Sequence, residues 1–233
     1  MTQRLGPPAL AEDLLLLLFQ PSSGPEGTGV VAGEETLPYV LAGAMLADLS
    51  IGRHVRTVPG WSGSTRVEAV AERPPTDDLL RSTWDYLASR PRGVQATLAV
   101  IGPALRRPLL ERLIERDDIH RSTCVETEAP IRERLTDGES GRRRSLLRGV
   151  RGVLVGEAEP EPRLAALVAL LSGSEMLPRF HPEIPRTTAT IARAKQLEHG
   201  IWAADAAAGA IARSFAATVV NNVILAAAVL PKR

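Results

Sequence analysis

The sequence predicts a mainly α-helical protein, a single globular domain around a helical bundle core with short peripheral β-hairpins. Three observations carry that expectation. Apolar residues recur at helical spacing through much of the 233-residue chain. The β-branched runs are short and flank turn-forming residues. With 44% hydrophobic and 24% charged residues and a net charge of +1, the chain can bury a sizeable core. The same figures exclude a chain disordered throughout and a general polyanion binder, so nucleic acid is not an expected partner.

Residues 1–12, with Gly6, Pro7 and Pro8, read as a flexible leader, and the domain is expected over 13–233. Leu14 to Phe19 is too short to classify by periodicity, and Glu12 and Asp13 stand where a signal peptide would carry positive charge. Pro21 to Gly29 is a loop. From Pro38 to Ile51, Leu41, Ala44, Met45 and Leu49 recur at helical spacing and Gly52 supplies the stop. His54 to Val58 and Thr65 to Val70 flank Pro59-Gly60-Trp61-Ser62-Gly63-Ser64 and predict a hairpin. Thr76-Asp77-Asp78 caps a helix to about Ser89, stopped by Pro91.

Helices follow from Val94 to Ile101 and from Pro103 or Pro108 to Arg116. Residues 117–129 read as a second hairpin or an extended segment, and Pro130 opens a further helical stretch. The helix from Ser145 to Val155 is amphipathic: Leu146, Leu147, Val150, Val153 and Leu154 form one stripe, with Arg144, Arg148 and Arg151 opposite. An acidic linker, Glu157 to Glu161 with Pro160 and Pro162, leads to an apolar helix from Leu164 to Leu171. Pro178, Pro182 and Pro185 mark an irregular connection before a helix from Thr187 to His199. Ile201 to Leu230 is almost wholly apolar, but Asp205, Arg213, Asn221 and Asn222 interrupt it, which favours a buried core helix over a membrane span.

The sequence holds no phosphate-binding glycine loop, dinucleotide fingerprint, nucleophile elbow or H-E-x-x-H motif, so no enzyme activity and no cofactor is expected. A lone cysteine, Cys124, allows no internal disulfide and suits a reducing cytoplasm. His54, His120 and His199 are scattered, and His181-Pro182-Glu183 offers two metal ligands where sites need three or four, so no metal is expected.

Arginine is the unusual feature. There are 26 arginines against two lysines, a bias that suggests a GC-rich bacterial genome. Five arginines and no acid lie between Arg142 and Arg151. Arg144, Arg148 and Arg151 share one helix face, which reads as a solvated face or as a surface for an acidic partner. Arg106 and Arg107 precede Pro108 and are placed in a first helical turn, where an anion such as phosphate is favoured; the alternative is two exposed side chains. Trp61, at the hairpin tip, reads as a membrane-interface residue or as one packed under its own hairpin.

Leu41-Ala42-Gly43-Ala44-Met45-Leu46-Ala47-Asp48-Leu49-Ser50-Ile51-Gly52-Arg53 resembles the signature helix of the Golgi phosphoprotein 3 (GPP34) family. Leu14 to Leu17 resembles its opening leucine helix, Pro75 to Leu80 its post-hairpin turn and Leu109 to Ile119 its Leu-rich helix. Arg142 to Val155, followed by Arg163 to Leu171, resembles its later basic helix and apolar partner.

The resemblance implies a mainly α-helical, non-enzymatic domain that binds membranes peripherally from the cytoplasm. Eukaryotic members recognise phosphatidylinositol 4-phosphate and link Golgi membranes to cargo glycosyltransferases. Aligned on Gly43, the family pocket's helix arginine falls on Ala42 and its tryptophan near Gly33, beside Glu34 and Glu35. Of its paired arginines the first falls on Pro103 and the second on Arg106, with Arg107 adjacent. The expected partner is therefore an anionic phospholipid or phosphoinositide-like headgroup at Arg106 and Arg107. The alternative is a protein–protein adaptor or homo-oligomeric scaffold that meets an acidic protein through Arg144, Arg148 and Arg151.

Overall fold

The computed structural model describes residues 5–21, 29–60, 65–124, 132–156, 160–199 and 218–223. Helix α1 (Leu10–Leu18) opens with Glu12 folded back onto the Ala9 N–H at 3.0 Å, a capping contact that satisfies one donor of the first turn. Every residue of α1 is buried, Glu12 and Asp13 included. The chain then forms a two-stranded antiparallel pair, β1 (Phe19–Gln20) with β2 (Val30–Val31), before the long helix α2 (Leu37–Ile51).

Helix α2 carries Pro38 in its first turn and packs on α1. It also meets α4 (Val94–Ile101) and α7 (Pro162–Gly173). Its apolar residues are buried nearly all round, which is why the sequence shows a continuous apolar run and not a single stripe. Gly43 sets the close approach at its centre: a Cβ there would stand 3.0–3.2 Å from Val223, Leu170 and Val219. Each fully buried leucine of this core contributes about 1.5–3 kcal/mol.

Besides the β1–β2 pair, two further small sheets lie among the described residues. β3 (Val55–Pro59) pairs antiparallel with β4 (Thr65–Ala69), from Val55 with Ala69 to Pro59 with Thr65, and β4 pairs with β5 (Arg92–Gly93). Between them α3 (Asp78–Ala88) is capped by Asp77 Oδ1, which accepts from the Leu79 and Leu80 N–H groups at 2.9 and 3.0 Å. A 3-10 turn, Gly102–Ala104, runs into α5 (Arg106–Glu115), and a hairpin of β6 (Ile119–Cys124) and β7 (Arg132–Asp137) follows. The remaining helices are α6 (Arg142–Val155) and α8 (Thr188–Glu198), with a 3-10 turn at Leu177–Phe180.

The mainly α architecture and the hairpin at residues 55–69 agree with the sequence reading, and three boundaries do not. The expected leader overlaps the domain, because Leu10, Ala11 and Glu12 are buried in α1. The helix expected from Pro130 is absent from residues 132–137, which form β7; pairing with the distant Ile119–Cys124 strand decides that segment. Helix α6 starts at Arg142, earlier than Ser145, because the Arg142 side chain is anchored inside the fold. Trp61, the Glu157 and Glu159 linker residues, and most of Ile201 to Leu230 lie outside the described residues. Residues 218–223 are helical, with Val219, Val220 and Val223 buried. Among the described residues no helix is long and apolar enough to cross a membrane.

Candidate functional site

The arginines sort into two populations. One is turned inward onto the start of α1, where five carboxylates and four guanidinium groups meet. Arg142 Nη2 lies 2.5 Å from Asp13 Oδ1 and its Nη1 contacts Asp118. Arg163 Nη2 lies 2.7 Å from Asp13 Oδ2, its Nη1 2.8 Å from Asp48 Oδ1, and it also donates to the Pro8 carbonyl at 2.6 Å. Arg112 bridges Asp77 at 2.5 Å and Glu12 at 3.4 Å, while Arg116 holds Glu12 at 2.7 Å and the Gly6 carbonyl at the same distance. Ser140 Oγ donates to Asp118, and the Leu10 N–H donates to Asp48 at 2.7 Å.

This network ties α1, α2, α5, α6 and α7 together through groups whose removal from water is tolerable only because each is paired. Burial pushes the Asp48 carboxyl above the ordinary aspartate range, against the downward pull of Arg163 and the Leu10 N–H. For Arg163, the lowering effect of burial is outweighed by the Asp48 and Asp13 carboxylates, and its pKa is raised. A cleft of about 280 Å³ beside the network is lined by Pro8, Asp48, His54, Asp77 and Arg163 among others. His54 Nδ1 faces the Arg73 carbonyl at 2.7 Å and therefore carries a proton. The network's charges are spent on one another, so its role is structural.

The second population faces solvent. Arg106 and Arg107 are exposed in the first turn of α5, where the sequence places them. The preceding 3-10 turn continues into that helix, with the Leu105 N–H bonded to the Gly102 carbonyl at 3.1 Å, so that amide is not open to an anion. Gly102 lets this turn lie directly on α2, because a Cβ there would overlap the Pro38 carbonyl. Arg106 Nη2 stands 3.2 Å from Glu34 Oε1, a pair whose side chains are 51% and 66% exposed. The structure thus brings Arg106 to the Gly33–Glu34 loop. Ala42 is fully buried, Pro103 is exposed, and Gly33 has a φ of +72° with Met176 packed over it.

On α6 the five arginines divide. Arg142 points into the network, and Arg143 Nε donates to the Phe19 carbonyl at 3.2 Å. Arg144, Arg148 and Arg151 are exposed along one face, and among the described residues none has a hydrogen-bond or ion-pair partner. Val155, also exposed, continues that face one turn on. Val150, Val153 and Leu154 are buried on the opposite side.

His181 and Glu183 are exposed, and the described residues contain no group of three or more metal-ligating side chains. The buried network escaped sequence reading. Its available signal is Glu12 and Asp13 inside an apolar helix, a pattern that demands internal counter-charges.

No individually curated protein matches the sequence. A family model described as Golgi phosphoprotein 3 (GPP34) matches residues 10–214, from the first residue of α1 into the apolar C-terminal region. The chain therefore belongs to the Golgi phosphoprotein 3 (GPP34) family.

Proposed function

We propose that this protein is a non-enzymatic peripheral membrane protein that docks reversibly from the cytoplasm on anionic lipid headgroups. The observation that supports this reading best is the row of Arg144, Arg148 and Arg151, exposed on one face of α6 and without carboxylate partners among the described residues. A basic side chain near an anionic surface contributes on the order of 1 kcal/mol. Three of them give attachment that is reversible and sensitive to salt. Arg107, and Arg106 once a headgroup displaces Glu34, supply charge-assisted contacts to a phosphate. With Ala42, Gly33 and Pro103 at the family's pocket positions, the ligand class is anionic headgroups generally and not one phosphoinositide.

Vesicle flotation tests the reading. Recovery with phosphatidylcholine vesicles containing phosphatidylglycerol should exceed recovery with phosphatidylcholine alone and fall as salt is added. Equal recovery on both would refute lipid docking and leave the adaptor alternative, which salt-sensitive self-association dependent on the same three arginines would support.

A further inference from the structure

The α6 surface does not account for a second feature, a cleft of about 330 Å³ between the end of α7, the Leu177–Phe180 turn and α8. Leu177, Pro178, Ile184, Pro185, Ile191 and Ala194 supply apolar walls. Ile191 is 53% exposed, one of the few large apolar side chains so placed among the described residues.

Polar groups converge on the same cleft. Ser172 and Lys195 in its lining both bind the buried Glu198, which lies outside it: Ser172 Oγ donates to Glu198, and Lys195 Nζ lies 2.9 Å from Oε1 and 3.0 Å from Oε2. Arg186 is exposed at the lining and has no partner among the described residues. Glu175 is exposed there as well.

An apolar cleft with a few fixed polar groups is the usual form of a small-ligand site, and such sites span about 300–1,000 Å³. At the small end of that range the cleft suits one alkyl chain and not the two chains of a bilayer phospholipid. Lys195 is already balanced by Glu198, which leaves Arg186 as the cation to receive an anionic head; Glu175 favours the single charge of a carboxylate over the nearly double charge of a phosphate monoester without closing the site to either. We propose that the α7–α8 cleft binds a single-chain amphiphile with a carboxylate or phosphate head, the chain along Leu177, Ile184 and Ile191 and the head at Arg186.

Calorimetric titration of the full chain with dodecanoate and dodecyl phosphate below their micellar concentrations, and with dodecanol below its solubility limit, tests this. Saturable one-to-one binding of dodecanoate or dodecyl phosphate is expected, and whichever binds identifies the head. Ile191→Asp, at a position 53% exposed on α8 and with folding checked by circular dichroism, should weaken that binding about tenfold. Arg186→Ala should weaken the anionic ligands several-fold without changing dodecanol. Absence of saturable binding, an unchanged affinity in Ile191→Asp, or dodecanol binding as tightly as the anions would overturn the proposal. Neither substitution alters a residue of α5 or α6, so loss of amphiphile binding and loss of vesicle docking are read on separate variants.

Discussion

Asp13 and Arg163 meet at 2.7 Å although 150 residues separate them. Arg142 closes on the other oxygen of the same carboxylate at 2.5 Å. Asp13 therefore acts as a buried rivet between α1, α6 and α7. Removing one member of a buried ion cluster leaves a counter-charge in a dry site, which costs about 3–5 kcal/mol. Arg142→Ala strands Asp118 and half of Asp13 and should fall in that range in urea denaturation. Arg163→Ala strands Asp48 and the other half of Asp13, and should cost less only because the Arg163 side chain is more exposed, 36% against 18% for Arg142. Arg148→Ala, on the exposed α6 face, should stay within about 0.5 kcal/mol of the parent.

The same cluster makes stability depend on pH. Burial raises the Asp48 pKa in the folded state, so between the ordinary aspartate pKa and the raised one the folded protein holds more protons than the unfolded chain. Asp48 thus contributes a stability term that is present below the ordinary pKa and lost as pH rises through the raised one. Urea midpoints measured across mildly acidic pH should show this decline in the parent and a flatter profile in Asp48→Asn. Parallel profiles would remove Asp48 as its source.

Two glycines differ in what surrounds them. At Gly102 a Cβ would collide with the Pro38 backbone carbonyl, which cannot rotate away, so Gly102→Ala should cost about 1–3 kcal/mol and disturb the turn that presents Arg106. At Gly43 the neighbours are side-chain tips of Val223, Leu170 and Val219, and the higher helix propensity of alanine offsets part of the crowding. Gly43→Ala should therefore shift the thermal midpoint less than Gly102→Ala.

Helix α2 was legible because its spacing and Gly52 stop are local signals, and the β3–β4 hairpin because its turn residues lie between its strands. The outward row of Arg144, Arg148 and Arg151 followed from helical periodicity alone. The inward turn of Arg142 did not, since its partners Asp13 and Asp118 lie far away in sequence. The same limit explains residues 132–137, whose strand state comes from pairing with 119–124 and not from their own composition. The place of Arg106 before Pro108 predicts its position at the start of α5, but its pairing with Glu34 depends on how α5 meets the loop before α2.

That pairing predicts a gain of function. An exposed ion pair contributes at most about 1 kcal/mol, so Glu34→Gln should leave the thermal midpoint nearly unchanged. It should raise recovery on vesicles containing phosphatidylglycerol by releasing Arg106 and removing a carboxylate from the approach of a phosphate. A drop in recovery would place the headgroup away from this corner.

The most direct test of the account compares the parent with two variants in one flotation series at low salt on vesicles containing phosphatidylglycerol. One variant replaces Arg144, Arg148 and Arg151 with alanine, and the other replaces Arg106 and Arg107. Strong recovery of the parent and near-complete loss for the α6 variant are expected. Partial loss is predicted for the α5 variant, with folding of both unchanged by circular dichroism. Recovery of the α6 variant equal to that of the parent would contradict it.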